Sequence, residues 1–357
     1  MNKFVVTAGL GVLATTASLA QVGMREATSQ GMKITLVYPT QERAQILKRG
    51  LFEIEVAINA KPTTQSRHLI VMSHGSGGSA LADFTLAATL ARAGFVVAQP
   101  EHRGDNSRDF RKSGPESWDT RPKEISEAID FVAKDAQWGG QLDFNAVGVH
   151  GMSAGGATAL IMAGGQWRMQ DLIRHCGNHL DEDIGFCLNG LTGQPVKQVI
   201  RKTQFKTAVK IPEKWLPENF KIVHGAPPSA GSSTDSRPDN RVVAVSALVP
   251  VSAIFTAESL AKISIPVGLT TAGKDEMLVP EFHSDHVMRN CPRCTILTSN
   301  PSAGHFDWLS PWPAELAQKI GSQQIRGGEV NPEFTPALRQ SGFDRIADFF
   351  RSTLHIS

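Results

Sequence analysis

Three short stretches hold residues whose types and spacing suit nucleophilic chemistry. Residues 147–160 read VGVHGMSAGGATAL, an apolar run that meets glycines and then a helix-forming tail, with Ser153 at the joint between Gly151 and Gly155. A serine at the apex of a strand-to-helix corner needs small neighbours two residues away on each side, or they collide with the adjoining strand and helix. A helix beginning just past the hydroxyl also favours negative charge developing there. Read for structure alone, the pentapeptide is a glycine-rich turn whose serine caps a helix. The second stretch, SHGSGG (73–78), is a tight glycine loop following an apolar run. The N–H of Ser76 there, with that of Ala154, would form an oxyanion hole for a tetrahedral intermediate. A phosphate cradle is the competing reading, but the Gly-Lys-Ser/Thr ending of a Walker loop is absent. The third requirement is a base, since a serine hydroxyl is a weak nucleophile until a neighbour accepts its proton. SAGHFDW (302–308) offers His305 and TTAGKDEM (270–277) offers Asp275, a carboxylate able to hold the imidazole tautomer. Glu276 and Asp307 are the neighbouring alternatives. Glu276 points the other way if Asp275 points in, and Asp307 is too close along the chain to His305.

The remaining histidines have plainer readings. His74 is expected to shape the glycine loop through hydrogen bonds, and His150 precedes the corner on its strand. His102, in EHRGDNSRD (101–109), is expected to order that loop more than to meet a substrate. His175, His179 and Asp181 have metal-like helical spacing, but nothing nearby in sequence completes a ligand set. His283 and His286 read as surface helix positions. Zinc at His175, His179 and Asp181 is the minority reading.

The elements that must position these residues follow an α/β rhythm. Strands are predicted at 32–39, 52–58, 68–74, 95–101, 146–151, 241–251, 263–273 and 294–299, with helices near 80–93, 120–135, 154–164 and 343–354. The first two strands read as an antiparallel start, and the rest as a mostly parallel central sheet flanked by helices. Between about 166 and 238 the rhythm breaks into a long insertion rich in Pro and Gly, taken as a cap or lid over the site. The expected organisation is one α/β domain over 21–357 with this insertion.

The first 20 residues read as a removed export signal: Lys3, an apolar stretch from Phe4 to Ala14, and Ser18-Leu19-Ala20 before Gln21. That implies a secreted or periplasmic protein. The apolar stretch is too short to span a bilayer comfortably, and no later one is long enough. Four cysteines in an exported chain are disulfide candidates, and sequence order suggests Cys176–Cys187 and Cys291–Cys294 among three possible pairings. A net charge of +2 is too balanced to argue for nucleic acid. The basic cluster Lys197, Arg201, Lys202, Lys206, Lys210, Lys214 and Lys221 reads as a solvated face, with docking to anionic material as the minority reading. Oligomeric state is open.

Taken together, VYPT (37–40), SHGSGG, LARAGFVVAQPEHRGDN (90–106), VGVHGMSAGG, FTAESLAKISIPV (255–267), AGKDE and AGHFDWL resemble the α/β-hydrolase superfamily. More narrowly they resemble the predicted dienelactone hydrolase and platelet-activating-factor acetylhydrolase-like group. The resemblance implies an α/β-hydrolase fold and serine ester hydrolysis with no metal and no diffusible cofactor; the residues read above supply Ser153, Asp275 and His305 as the expected triad, acting on small-molecule or lipid-like esters. Two departures stand out. True dienelactone hydrolases carry cysteine where this chain has Ser153, and VPVSAIF (249–255) lacks the acid that acetylhydrolases of the group carry after their sixth strand. Rival readings are a serine amidase or peptidase, a polyester or aromatic-diester hydrolase, and a non-catalytic binding module.

Overall fold

A computed structural model describes residues 21–50, 52–63, 66–188, 238–309, 311, 313–315, 318, 331 and 333–354. The predicted export signal, and the 189–237 part of the predicted insertion with its basic cluster, lie outside the described residues.

Ten strands among the described residues form one sheet in the order β10 (Cys294–Asn300), β9 (Val267–Ala272), β8 (Val242–Leu248), β7 (Val147–Met152), β5 (Leu69–Ser73), β6 (Val96–Pro100), β2 (Met32–Thr40), β1 (Gln21–Ser29), β4 (Phe52–Ile58) and β3 (Gln45–Arg49). Its centre is parallel: β5, β6, β7, β8, β9 and β10. Strands buried on both faces need continuous apolar runs, and β5 (LIVMS) and β7 (VGVHGM) are buried at every position.

The N-terminal arm departs from the expected antiparallel start. β2 (Met32–Thr40) pairs with β1 (Gln21–Ser29), which lies between it and β4 (Phe52–Ile58). The cause is local. Gln30 and Gly31 have φ of 47° and 77°, the two-residue turn whose twist suits a hairpin, so β1 folds back on β2 in unbroken register from Ser29–Met32 to Gln21–Thr40. β4 instead takes β3 (Gln45–Arg49) as its antiparallel partner, around Gly50.

Helices cover both faces. α2 (Pro115–Ala133), α3 (Ala154–Met162), α6 (Ala257–Ala261) and α7 (Ser284–Asn290) close one apolar core. α1 (Phe84–Arg92) and α8 (Pro336–Thr353) close the other. α8 begins before the expected 343 because Thr335 caps it, accepting from the Leu338 N–H, and Pro336 suits the first turn. The described start of the insertion holds α4 (Met169–His179) and α5 (Ile184–Cys187), joined by a Cys176–Cys187 disulfide. A second disulfide, Cys291–Cys294, ties the end of α7 to β10. Among the described residues no helix is long and apolar enough to cross a membrane.

Candidate active site

Ser153 stands where β7 becomes α3, with φ 57° and ψ −116°. Positive φ at a residue other than glycine costs on the order of 1–3 kcal/mol and persists only where surroundings over-determine it. Here the Ser153 N–H donates to the Leu248 carbonyl at 2.9 Å, and its own carbonyl accepts from Val251 N–H at 3.0 Å. The flanking glycines leave no latitude. A Cβ on Gly151 would lie 1.9 Å from the Gly155 carbonyl oxygen, and one on Gly155 would lie 1.9 Å from that of Ser73. The corner therefore pushes the hydroxyl outward at the carboxyl rim of the sheet.

Two loops at that rim carry the partners. Asp275 follows β9, where its Oδ1 accepts from the N–H groups of Met277 (2.9 Å) and Leu278 (2.8 Å). Its Oδ2 is 2.8 Å from His305 Nδ1, and His305 Nε2 is 3.1 Å from Ser153 Oγ. A carboxylate can only accept, so Nδ1 carries the proton and Nε2 presents its lone pair to the serine hydroxyl. All three side chains are buried. Glu276 is exposed. Asp307 faces away from the imidazole: its carboxylate accepts from Gly304 N–H (2.7 Å) and Asn331 N–H (3.0 Å), while its carbonyl accepts from Arg339 Nε (2.7 Å). It shapes the loop that presents His305, and burial pushes its carboxyl pKa up.

The glycine loop 74–78 passes beside the serine, with the position of a Gly75 Cβ only 3.6 Å from Ser153 Cβ. Ala154 opens α3, so its N–H has no carbonyl one turn earlier within the helix to meet. His74 and His102 order the loop. The His102 N–H donates to His74 Nε2 (3.2 Å), so the other nitrogen, Nδ1, donates to the Gly75 carbonyl (2.7 Å). His102 itself bridges Ser73 Oγ (2.8 Å) and Glu124 Oε2 (2.7 Å). Burial, with Arg121 nearby, holds both imidazoles well below the usual histidine range, and burial raises Glu124.

A second cluster corrects the reading of His283 as a surface residue. It is fully buried, because α5 of the insertion lies over it. His175 joins it and Asp183, with one potential ligand atom from each within 4.8 Å of the others; Asp181 takes no part in the set, and His179 pairs with Glu182. Both imidazole Nε2 atoms meet Asp183 Oδ2, at 2.8 and 2.9 Å. His283 Nδ1 accepts from the Ser252 N–H (3.0 Å), so its Nε2 carries the proton toward Asp183 and offers no lone pair to a metal. The donor set is a hydrogen-bonded strap. Burial pushes the Asp183 carboxyl up, but the two histidines more than offset this and hold it well below the carboxylate range. Its Oδ1 also accepts from Val279 N–H (3.2 Å), fastening α5 to the turn that begins at Asp275.

Sequence reading missed Asp105, Arg121, Glu124 and Asp183, all buried and bonded around these loops. Arg121 had a signal. It lies four residues before Ile125 on the apolar stripe of α2, where a charge faces the core. Asp183 had none, because its partners come from distant parts of the chain.

Comparisons with known proteins bear on the fold and the enzyme class. Residues 82–177 match the prolyl oligopeptidase family, and residues 29–112 match the platelet-activating factor acetylhydrolase, isoform II, family. No curated protein matches the sequence. Among solved structures, a ferulic acid esterase from Streptomyces cinnamoneus is similar at a TM-score of 0.55 and 15% identity, over 96% of this chain and 92% of that one. Sheet order and structural likeness agree on an α/β-hydrolase fold, and the two partial family matches, with the esterase likeness, indicate a serine hydrolase.

Proposed function

We propose that the protein hydrolyses carboxylic esters through an acyl-enzyme, and that Ser153, His305 and Asp275 are its triad. The observation that carries this is the continuous line of contacts, Ser153 Oγ to His305 Nε2 at 3.1 Å and His305 Nδ1 to Asp275 Oδ2 at 2.8 Å, at a strained corner. Ser153 Oγ attacks the ester carbonyl carbon while His305 Nε2 takes its proton. Asp275 stabilises the imidazolium that results. The N–H groups of Ser76 and Ala154 receive the oxyanion, each donor of this kind lowering the barrier by about 3 kcal/mol. Collapse expels the alkoxide, which takes the proton from His305. Water then attacks the acyl-enzyme with His305 again as base, releasing the acid and restoring the serine.

The names of two relatives, an acetylhydrolase and a ferulic acid esterase, support esters as the substrate class. The match to the prolyl oligopeptidase family spans the serine corner and favours a second reading, amide or peptide hydrolysis by the same residues. Export to the periplasm or beyond fits the two disulfides. The insertion, as a cap over the site, would set acyl size. Nitrophenyl esters from acetyl to long-chain, set beside matching anilides, decide between the two readings. Ester turnover and fluorophosphonate labelling are both expected to vanish in Ser153→Ala. Full ester turnover in that variant refutes the assignment.

A further inference from the structure

Two buried charges grip the glycine loop, and no step proposed above uses them. Arg121 and Asp105 are each 0% exposed and pair through Nη2 and Oδ2 at 2.7 Å. From one side, Arg121 Nη1 donates to the His74 carbonyl (2.5 Å) and Nη2 to the Gly75 carbonyl (3.3 Å). From the other, Asp105 Oδ1 accepts from Ser76 Oγ (2.9 Å) and from the Gly77 N–H (2.9 Å). Every residue from His74 to Gly77 is thus held by one member of the pair. Arg121 counters the effect of burial on Asp105, whose carboxyl stays below its ordinary range.

A buried ion pair is a weak device for stability, since well-packed apolar residues often do as well or better. Its location indicates another use. Oxyanion donors act only when fixed about 2.7–3.1 Å from the position the oxyanion will take. A loop reading Gly75-Ser76-Gly77-Gly78, with Gly77 at φ +65°, is the least self-constrained backbone that could carry one. The peptide unit that ends in the Ser76 N–H begins with the Gly75 carbonyl. That carbonyl accepts from both His74 Nδ1 and Arg121 Nη2. Hydrogen bonds on the carbonyl orient the unit and polarise its N–H, strengthening it as a donor.

Resting on the ester-hydrolase reading, we infer that Arg121 and Asp105 are a positioning pair that fixes and polarises the Ser76 N–H for the oxyanion. The pair makes no hydrogen bond to Ser153 and acts through the loop.

The test compares oxoesters with thionoesters of the same acyl and alcohol groups, because sulfur is a poor acceptor and gains little from an oxyanion donor. Arg121→Lys and Asp105→Asn are expected to lower oxoester kcat by about 10- to 100-fold with KM nearly unchanged, short of the roughly 10²- to 10³-fold cost of losing a donor outright. The oxoester/thionoester ratio of kcat/KM should shrink by a similar factor, which a general loosening of the fold would not produce. The double variant Arg121→Met with Asp105→Leu removes both charges together and guards against a single unpaired one. If this variant melts like wild type and keeps its oxoester kcat and its ratio, the inference is overturned. Failure of the underlying reading shows separately, as wild-type protein that neither turns over esters nor takes fluorophosphonate on Ser153, and it removes the inference as well.

Discussion

Replacing Asp275 by asparagine tests the proposed chemistry most directly, because the two carboxylate oxygens have different duties. Oδ1 accepts two backbone donors, from Met277 and Leu278, while Oδ2 faces His305 Nδ1. An asparagine has one acceptor and one donor end. The two N–H groups fix the amide oxygen at the Oδ1 position, so its NH₂ must point at Nδ1. Nδ1 is then forced to accept, the proton moves to Nε2, and the imidazole meets the Ser153 hydroxyl with N–H instead of a lone pair. A comparable tautomer reversal in another triad lowers kcat about 10⁴-fold, or about 5.5 kcal/mol of barrier. Alanine at 275 leaves Nδ1 unconstrained, so Asp275→Asn is expected to be at least as slow as Asp275→Ala. Steady-state kinetics on a nitrophenyl ester, with thermal melting to establish folding, read the outcome. A folded Asp275→Asn enzyme retaining a tenth of wild-type kcat, or clearly outpacing Asp275→Ala, refutes the reasoning.

Three further outcomes follow from geometry and burial. Gly155→Ala drives a methyl into the Ser73 backbone carbonyl, 1.9 Å away, and a folded fraction should lose about 10²-fold in kcat through misplacement of Ser153; an active, normally melting variant contradicts the packing argument. Burial raises Asp83 from 3.8 to about 7, so the stability linked to its folded state is complete below pH 3.8 and drains away as pH rises through 7. Asp83→Asn should therefore gain on wild type by up to about 4 kcal/mol at pH 9 and by little at pH 4, in denaturant titrations at both pH values. Serines at Cys176 and Cys187 remove a cross-link worth about 3 kcal/mol for a loop of this length. Because the α5 backbone at Gly185 rests on the Glu276 and Met277 carbonyls, faster hydrogen exchange over 169–188 should accompany a lower kcat.

Much of this arrangement is written in short-range patterns. The serine corner is legible because small residues at 151 and 155 are a local steric demand, and the parallel strands because double burial leaves unbroken apolar runs. Both disulfides join the cysteines nearest in sequence. What sequence hides is set by partners far along the chain. β1 mixes buried and exposed residues without a clean alternation, so only its pairing with β2 reveals it as a strand. His283 reads as solvent-facing until α5, some hundred residues earlier, covers it. The Arg121–Asp105 pair is visible as a charge on an apolar stripe, but not what that charge holds.

The brace on Ser153 has a consequence for the order in which the protein comes into being. The backbone contacts that sustain its strained conformation, to Leu248 and Val251, come from β8 and the residues just after it, nearly a hundred positions later in the chain. A polypeptide interrupted before that point would contain the proposed nucleophile yet lack the contacts that hold its unfavourable torsion. On the proposed chemistry, competence therefore cannot precede the emergence of β8 and the residues just after it, which keeps an unfinished chain inert while it is still being made.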